Sequence, residues 1–331
     1  MEMCQTAYQQ MWPAYNKSQQ EEKARFMTLL NDLCNSIEEP AYEFGRPRIS
    51  LHDLIFASAL KVYTRFSLRR FQSDLADAKE KEFVQAMPCF ASVGHFFQKT
   101  ELTAILSKLI TLSAAPLRGI ESDFAIDSTG FRTTKFYHWL DEKHRLRRKN
   151  QWIKIHIACG VKSNIVTAVQ ITEEHGADYP QLKYLVEKTA QDFHMNEVSA
   201  DRAYLGRDNL AAIANVGAAP YIPFKSNSKG NKHGSMIWSK LYYYFMYNQE
   251  EFMTHYHKRS NVESTMNMIK AKFGDEIKSR DAIAQFNEAL LKVLCHNIVV
   301  VIHETNELEI YPPFNNRKSD CDRKLSLTGP F

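Results

Sequence analysis

The sequence predicts a mixed α/β fold, a mixed sheet flanked by helices and preceded by an all-α N-terminal region. Three observations lead there. Residues 1 to 118 show apolar side chains at helical spacing with no period-two alternation. From Asp123 onward, short alternating stretches intervene between helical ones. Two of the short apolar runs end on an aspartate, at Asp127 and at Asp201. A chain of 331 residues suits two domains, or one large domain with insertions. We divide it into a helical domain over 1–118, an α/β domain over 119–305 and a tail over 306–331.

In the first domain, Phe26, Leu29, Leu30 and Leu33 fall on one helical face between Lys23 and Leu33. Turns follow at Glu39-Pro40 and at Gly45 to Arg48. Ser50 then reads as the N-cap of a helix carrying Leu51, Leu54, Ile55, Ala59 and Val62. Helical patterns continue over Leu68 to Phe83 and Val93 to Leu112, and Pro116 and Gly119 punctuate the end.

In the second domain, Phe124 to Ile126 reads as a strand giving way to a loop at Asp127. Trp152 to Val161 and Ile165 to Ile171 alternate around Lys162-Ser163-Asn164, a β-hairpin. An amphipathic helix over Asp178 to Phe193 precedes a strand at Glu197 to Asp201. A short helix at Arg207 to Val216, a strand at Pro220 to Phe224 and a polar loop at Ser226 to Gly234 follow. Two helices, Glu251 to Lys272 and Ala282 to Glu304, complete the pattern before a frayed tail at Pro312 to Phe331. Three antiparallel strands followed by parallel ones suit a ribonuclease H-like core, although order alone leaves it among several α/β arrangements.

Composition narrows the class. An apolar fraction of 44% is that of a folded chain. The formal charge of +4 does not announce a nucleic-acid partner, so the distribution of charge matters more than its sum. Six scattered cysteines form no zinc-finger spacing and suit reduced thiols in a cytosol. Residues 1–15 lack the basic start and apolar run of a signal peptide. The apolar run Ile298 to Ile302 is too short to span a bilayer. We therefore expect a cytoplasmic protein with no membrane partner.

Asp127 and Asp201 each stand where an apolar strand meets polar residues, the position at which open α/β sheets build their sites. Either could instead cap the next turn, as Asp often does. Two hard carboxylates with no His or Cys beside them suit magnesium or manganese rather than zinc. The helix from Glu251 supplies a third. At 100° per residue, Tyr256, Arg259, Glu263 and Lys270 fall within an arc of about 60°. Val262, Met266, Ile269 and Phe273 form the adjacent apolar stripe. Taken alone, that ridge is also what a solvated face with an i,i+4 Arg–Glu pair looks like.

The spacing Tyr256-x2-Arg259-x3-Glu263-x6-Lys270 resembles the Tyr-Arg-Glu-Lys signature of IS-four-type insertion-sequence transposases, which are bacterial enzymes of the Asp-Asp-Glu class. The runs Ala125 to Ser128, Ser199 to Tyr204 and His257 to Thr265 are similar to that family too. The resemblance covers about 120 to 300. It implies a ribonuclease H-like catalytic core in which Asp127, Asp201 and Glu263 hold two Mg²⁺ ions, with Mn²⁺ able to substitute. It further implies that Arg259 and Lys270 hold DNA phosphates and that Tyr256 contacts the end nucleotide. The expected partners are double-stranded DNA, as element terminal repeats and target, and a second copy of the chain in a homodimer that pairs two ends. Association with the bacterial nucleoid would follow.

Other residues could face DNA. Lys143 to Lys149 carries five cations in seven residues, and Arg145, Arg147, Arg148 and Lys149 could clamp a phosphate backbone. Arg46, Arg48, Arg65, Arg69 and Arg70 gather around a helix-turn-helix-like pattern that could read a terminal repeat. Trp238 could stack a displaced base, but with Tyr242, Tyr243 and Phe245 it reads better as core. His255, His257 and His296 read as surface or satisfied core groups. Two alternatives to a transposase stand at this point: a ribonuclease H-like DNA nuclease without strand transfer, and a transposase-derived DNA-binding protein. Retention of all three acidic residues argues against the latter.

Overall fold

The computed structural model describes residues 11–41, 44–45, 48–133, 152–230 and 235–309. Among them, helices α1 (Trp12–Asn35), α2 (Leu51–Thr64), α3 (Gln72–Glu80), α4 (Phe90–Phe97) and α5 (Thr100–Ala114) precede any strand. Helix α1 buries Phe26, Leu30 and Leu33 as their spacing requires. The Ser50 hydroxyl caps α2 by accepting from the Asp53 amide, satisfying one of the orphan donors of a helix start. Two expectations are corrected. Val93 to Leu112 is not one helix: Gln98 and Lys99 break it, and Asn287 from the far end of the chain donates to the Phe97 and Lys99 carbonyls there. The helical pattern over Leu68 to Phe83 shrinks to α3, which ends where Glu82 turns left-handed, φ 62°, and the Phe83 amide donates back to the Ala78 carbonyl.

The described residues form a five-stranded sheet in the order β3-β2-β1-β4-β5, built from β1 (Asp123–Arg132), β2 (Trp152–Gly160), β3 (Val166–Glu173), β4 (Glu197–Ala200) and β5 (Ala219–Tyr221). Strands β1, β2 and β3 are antiparallel neighbours, whereas β4 runs parallel to β1 and β5 parallel to β4. Three antiparallel strands followed by parallel ones agree with the expectation from the sequence. The β2–β3 turn is pinned by Glu121, which accepts from the Lys162 and Ser163 amides and the Ser163 hydroxyl. Asn164 takes the left-handed conformation there, with φ 63°, which Asn tolerates better than most residues.

Helix α6 (Gln181–Ala190) packs on β2 and β3, and α7 (Arg207–Asn215) packs on α6 and β5. Helices α8 (Met236–Tyr247), α9 (Gln249–Tyr256) and α10 (Ser260–Phe273) follow, with a 3₁₀ turn at His257–Arg259 between the last two. The single helix expected over Glu251 to Lys272 is therefore interrupted at that turn. Helix α11 (Ala282–Leu308) lies against α1, α2, α5 and α10 and touches β2 and β3. It is long and apolar enough to cross a membrane by length and composition, yet 89% of its most apolar stretch is buried inside the fold. A helix apolar all round and enclosed by its neighbours is a core helix. Asn297 on it, fully buried, accepts from the Val166 amide and donates to the Val166 carbonyl, the Ile110 carbonyl and the Ser113 hydroxyl. One apolar core thus runs from Phe26 in α1 through the sheet to Ile302 in α11. The expected tail over Pro312 to Phe331 lies outside the described residues.

Candidate active site

Successive side chains on β1 point to opposite faces of the sheet. Asp123, Asp127 and Thr129 reach side chains of the His257–Arg259 turn and α10, while Phe124 packs edge-on against Phe193 beyond α6. Asp127 lies inside β1, not at its end as expected. The extra strand length comes from antiparallel pairing with β2, which continues to Arg132 opposite Trp152. On the other side, the parallel partner β4 stops at Ala200, paired with Ile126. Asp127 follows Ile126 within β1, and Asp201 follows Ala200 just past the end of β4. Their charges interact: burial pushes the Asp127 carboxyl above its ordinary range, the Ser128 amide and Arg259 pull it down, and Asp201 adds to the rise.

Glu263 sits in the first turn of α10, with its side chain half exposed. Arg259, one helical turn earlier, links it to the strand carboxylate. One guanidinium nitrogen lies 2.6 Å from Asp127 Oδ2 and the other 2.9 Å from Glu263 Oε1. Burial opposes the guanidinium charge, but Asp127 and Glu263 outweigh it and hold the arginine still more firmly protonated. Its Nε is buried and makes no hydrogen bond among the described residues. The Tyr256 phenol, held above its ordinary range by burial, also feels Arg259, Asp201, Arg202 and Asp127. Lys270 donates to Thr129 Oγ1 at 2.5 Å and lies 5.7 Å from the Phe131 ring centroid; burial lowers its pKa. Tyr256, Arg259, Glu263 and Lys270 therefore stand on the side of the sheet that Asp127 faces.

Asp127, Asp201 and Glu263 offer oxygen donors alone, the kind that hard divalent cations take. Among the described residues no three acidic, His or Cys side chains stand close enough to hold an ion. The Arg259 guanidinium occupies the space between Asp127 and Glu263. The donor set fits such a cation in kind, and in this arrangement one cationic side chain bridges two of its three carboxylates.

A family model described as the transposase DDE domain matches residues 118–298, from just before β1 through most of α11. The chain belongs to the transposase DDE domain family. Membership makes it a transposase that acts on DNA, in a family that generally works with divalent metal ions.

Some features of the transposase were not legible as site residues. Lys258, beside Arg259, bridges Asp123 at 2.6 Å and Glu197 at 2.7 Å, tying the starts of β1 and β4 to the turn before α10. Asn261 donates to the Val161 carbonyl and Thr265 to Asn164, fixing α10 on the β2–β3 hairpin. His156, fully buried opposite Ser128, touches Tyr204, which lies just past Asp201. A histidine amid the alternating Ile153, Ile155 and Ile157 was the available signal. Trp238 is core: it is 3% exposed, packs edge-on against Phe224 and donates to the Lys229 carbonyl. His296 is buried against the Asn164 carbonyl, and His255 stacks on Tyr221 and pairs with Glu197. Arg145, Arg147, Arg148 and Lys149 lie outside the described residues, as does Arg46, while Arg48, Arg65, Arg69 and Arg70 are exposed.

Proposed function

We propose that this transposase cleaves the ends of an insertion sequence and joins the freed 3′-hydroxyl to target DNA, as an IS-four-type enzyme with Asp127, Asp201 and Glu263 as its catalytic carboxylates. What supports this reading is that Asp127 and Asp201 each directly follow a residue of the parallel Ile126–Ala200 pair, with Arg259 bridging Asp127 to Glu263 on α10. Their oxygens would hold two Mg²⁺, or Mn²⁺ in substitution. When bound, such ions supply activation of the attacking oxygen and stabilisation of the leaving one. Arg259 moves from the carboxylates to a DNA phosphate, for which its planar fork is suited. Lys270, close to Thr129, places a second cation on the strand. Tyr256 bounds the site beside Asp201 and orients the terminal nucleotide. Arg145, Arg147, Arg148 and Lys149 add backbone affinity. The helical region over 1–118, with its exposed arginines, reads the terminal repeat, and two copies pair two ends in the bacterial cytoplasm, at the nucleoid.

The test uses duplexes carrying the inverted repeats that flank the protein's own gene. Wild-type protein should nick them only with Mg²⁺ or Mn²⁺ present and should join the labelled 3′-end to a plasmid. Asp201→Ala should do neither. Cleavage retained in that variant removes the mechanism, and cleavage without joining replaces it with a nuclease.

A further inference from the structure

Behind the two strand aspartates, on the opposite face of the sheet from α10, lies a chain of hydrogen bonds between polar side chains. Tyr204 is fully buried, three residues after Asp201, and its amide donates to the Asp201 carbonyl. Its hydroxyl meets the side chain of Ser128, the residue after Asp127, and lies 3.2 Å from His156 Nδ1. His156 Nε2 lies 3.0 Å from Thr172 Oγ1 on β3. Burial lowers the His156 pKa to about 4, so the ring is neutral near neutral pH. A neutral imidazole carries one proton, so one ring nitrogen donates and the other accepts. The Tyr204 and Thr172 hydroxyls therefore take opposite roles at the ring, one donating to it and the other accepting from it. Asp178, paired with Lys154 at 2.6 Å, flanks the ring 3.4 Å from Nδ1. The Tyr204 carbonyl accepts from Asn209 at 2.8 Å, so the turn is fixed from α7 as well.

These contacts join the residue after one carboxylate to the turn after the other. The β1–β4 pairing ends at Ile126 and Ala200, one residue short of both aspartates. We infer that the Tyr204 hydroxyl, hydrogen-bonded to His156 and Ser128, is the positioning group that holds Asp201 beside Asp127 for joint ligation of a divalent cation. The inference rests on the proposed role of those carboxylates. Tyr204, His156 and Ser128 act through the aspartates and touch no reacting atom. Groups that fix the orientation of metal ligands are typically worth roughly 10- to 100-fold in metal affinity.

The experiment is Mn²⁺ binding to the full chain without DNA, followed by calorimetry and by the electron paramagnetic signal of free Mn²⁺. Tyr204→Phe keeps the buried ring and deletes only the hydroxyl, and Ser128→Ala deletes the second partner at a half-buried position that does not threaten folding. Each should weaken Mn²⁺ binding about 10-fold or more. Ser128→Thr, which keeps a hydroxyl, should retain wild-type affinity. Asp201→Asn serves as the reference. If Asp201→Asn loses binding while Tyr204→Phe and Ser128→Ala bind as wild type does, the positioning role is overturned and the carboxylate reading stands. If Asp201→Asn itself binds normally, the carboxylate reading fails and takes the inference with it. Should Tyr204→Phe not fold, Ser128→Ala and its Thr counterpart decide alone.

Discussion

Arg259 holds Asp127 at 2.6 Å, within a site where the same guanidinium also reaches Glu263 at 2.9 Å. One side chain thus occupies the position in which a divalent cation would join the same two carboxylates. Replacing it separates two effects that ordinarily coincide. Arg259→Ala removes the competing charge, so Mn²⁺ alone should bind several-fold more tightly than to wild type. It also removes a phosphate contact, so affinity for end DNA and the cleavage rate should both fall, the latter by roughly 10²-fold for loss of a charge-assisted, pre-oriented contact. Parallel Mn²⁺ and DNA titrations check the split. Weaker binding of both would show the arginine supporting the carboxylates rather than competing for them.

Lys270 presents a different balance. Burial lowers its pKa, and the ammonium is held by Thr129 and the face of Phe131. If it contacts a DNA phosphate, Lys270→Met should keep most of the packing of its stem while reducing the slope of log affinity against log salt by about 1. The loss should be uniform across DNA sequences, since a phosphate contact carries no base information. Filter binding over a salt series reads this directly.

Much of the site was legible because its signals are local. A strand-end aspartate needs only a short apolar run before it, as at Glu197 to Ala200, and the spacing from Tyr256 to Lys270 survives the 3₁₀ turn at His257–Arg259. What escaped was set by pairing partners far away in the chain. Asp127 lies within a strand because β2 pairs past it as far as Arg132, and no local pattern carries that information. The break between α4 and α5 is stabilised by Asn287, 188 positions from Lys99. Helix α8 is not legible locally because its aromatic run, Tyr242 to Phe245, shows no polar face by composition. Only contacts with Phe224 decide which rings are core. His156 carries no local signal of its role, which depends on Tyr204, 48 residues on.

Asn297 joins the helices to the sheet, and its loss should register as stability, not chemistry. Its amide satisfies both the amide and the carbonyl of Val166, and it reaches the Ile110 carbonyl and Ser113 on α5. Asn297→Ala leaves those buried backbone groups unpaired, at roughly 2–4 kcal/mol. The urea midpoint should shift down with unchanged slope, while end-DNA affinity under native conditions stays within a factor of about two, because the residue touches nothing near Asp127. A variant as stable as wild type would mean that water or a rotated neighbour replaces the amide.

Two buried histidines make stability fall on the acid side of neutrality. Burial lowers both His156 and His296 to about 4 from the ordinary 6.5. Between those pH values the unfolded chain binds a proton at each site that the folded chain refuses, so stability decreases as pH drops through the window. Burial pushes Glu304 up to about 7, with Glu307 adding to the rise, and it works the opposite way, since its folded carboxyl takes up a proton first. The whole-protein curve therefore blends opposed contributions, and a difference curve isolates one. His296→Gln retains a donor for the Asn164 carbonyl but cannot titrate. Near pH 7.5 it should cost stability through imperfect packing. As pH falls from about 6.5 to 4, its stability relative to wild type should rise by up to about 3 kcal/mol, the linkage value of a shift of that size. Urea melts at half-unit pH steps give the curve. A flat difference would mean that the ring is protonated in the folded state and that the Asn164 carbonyl holds a charged imidazolium.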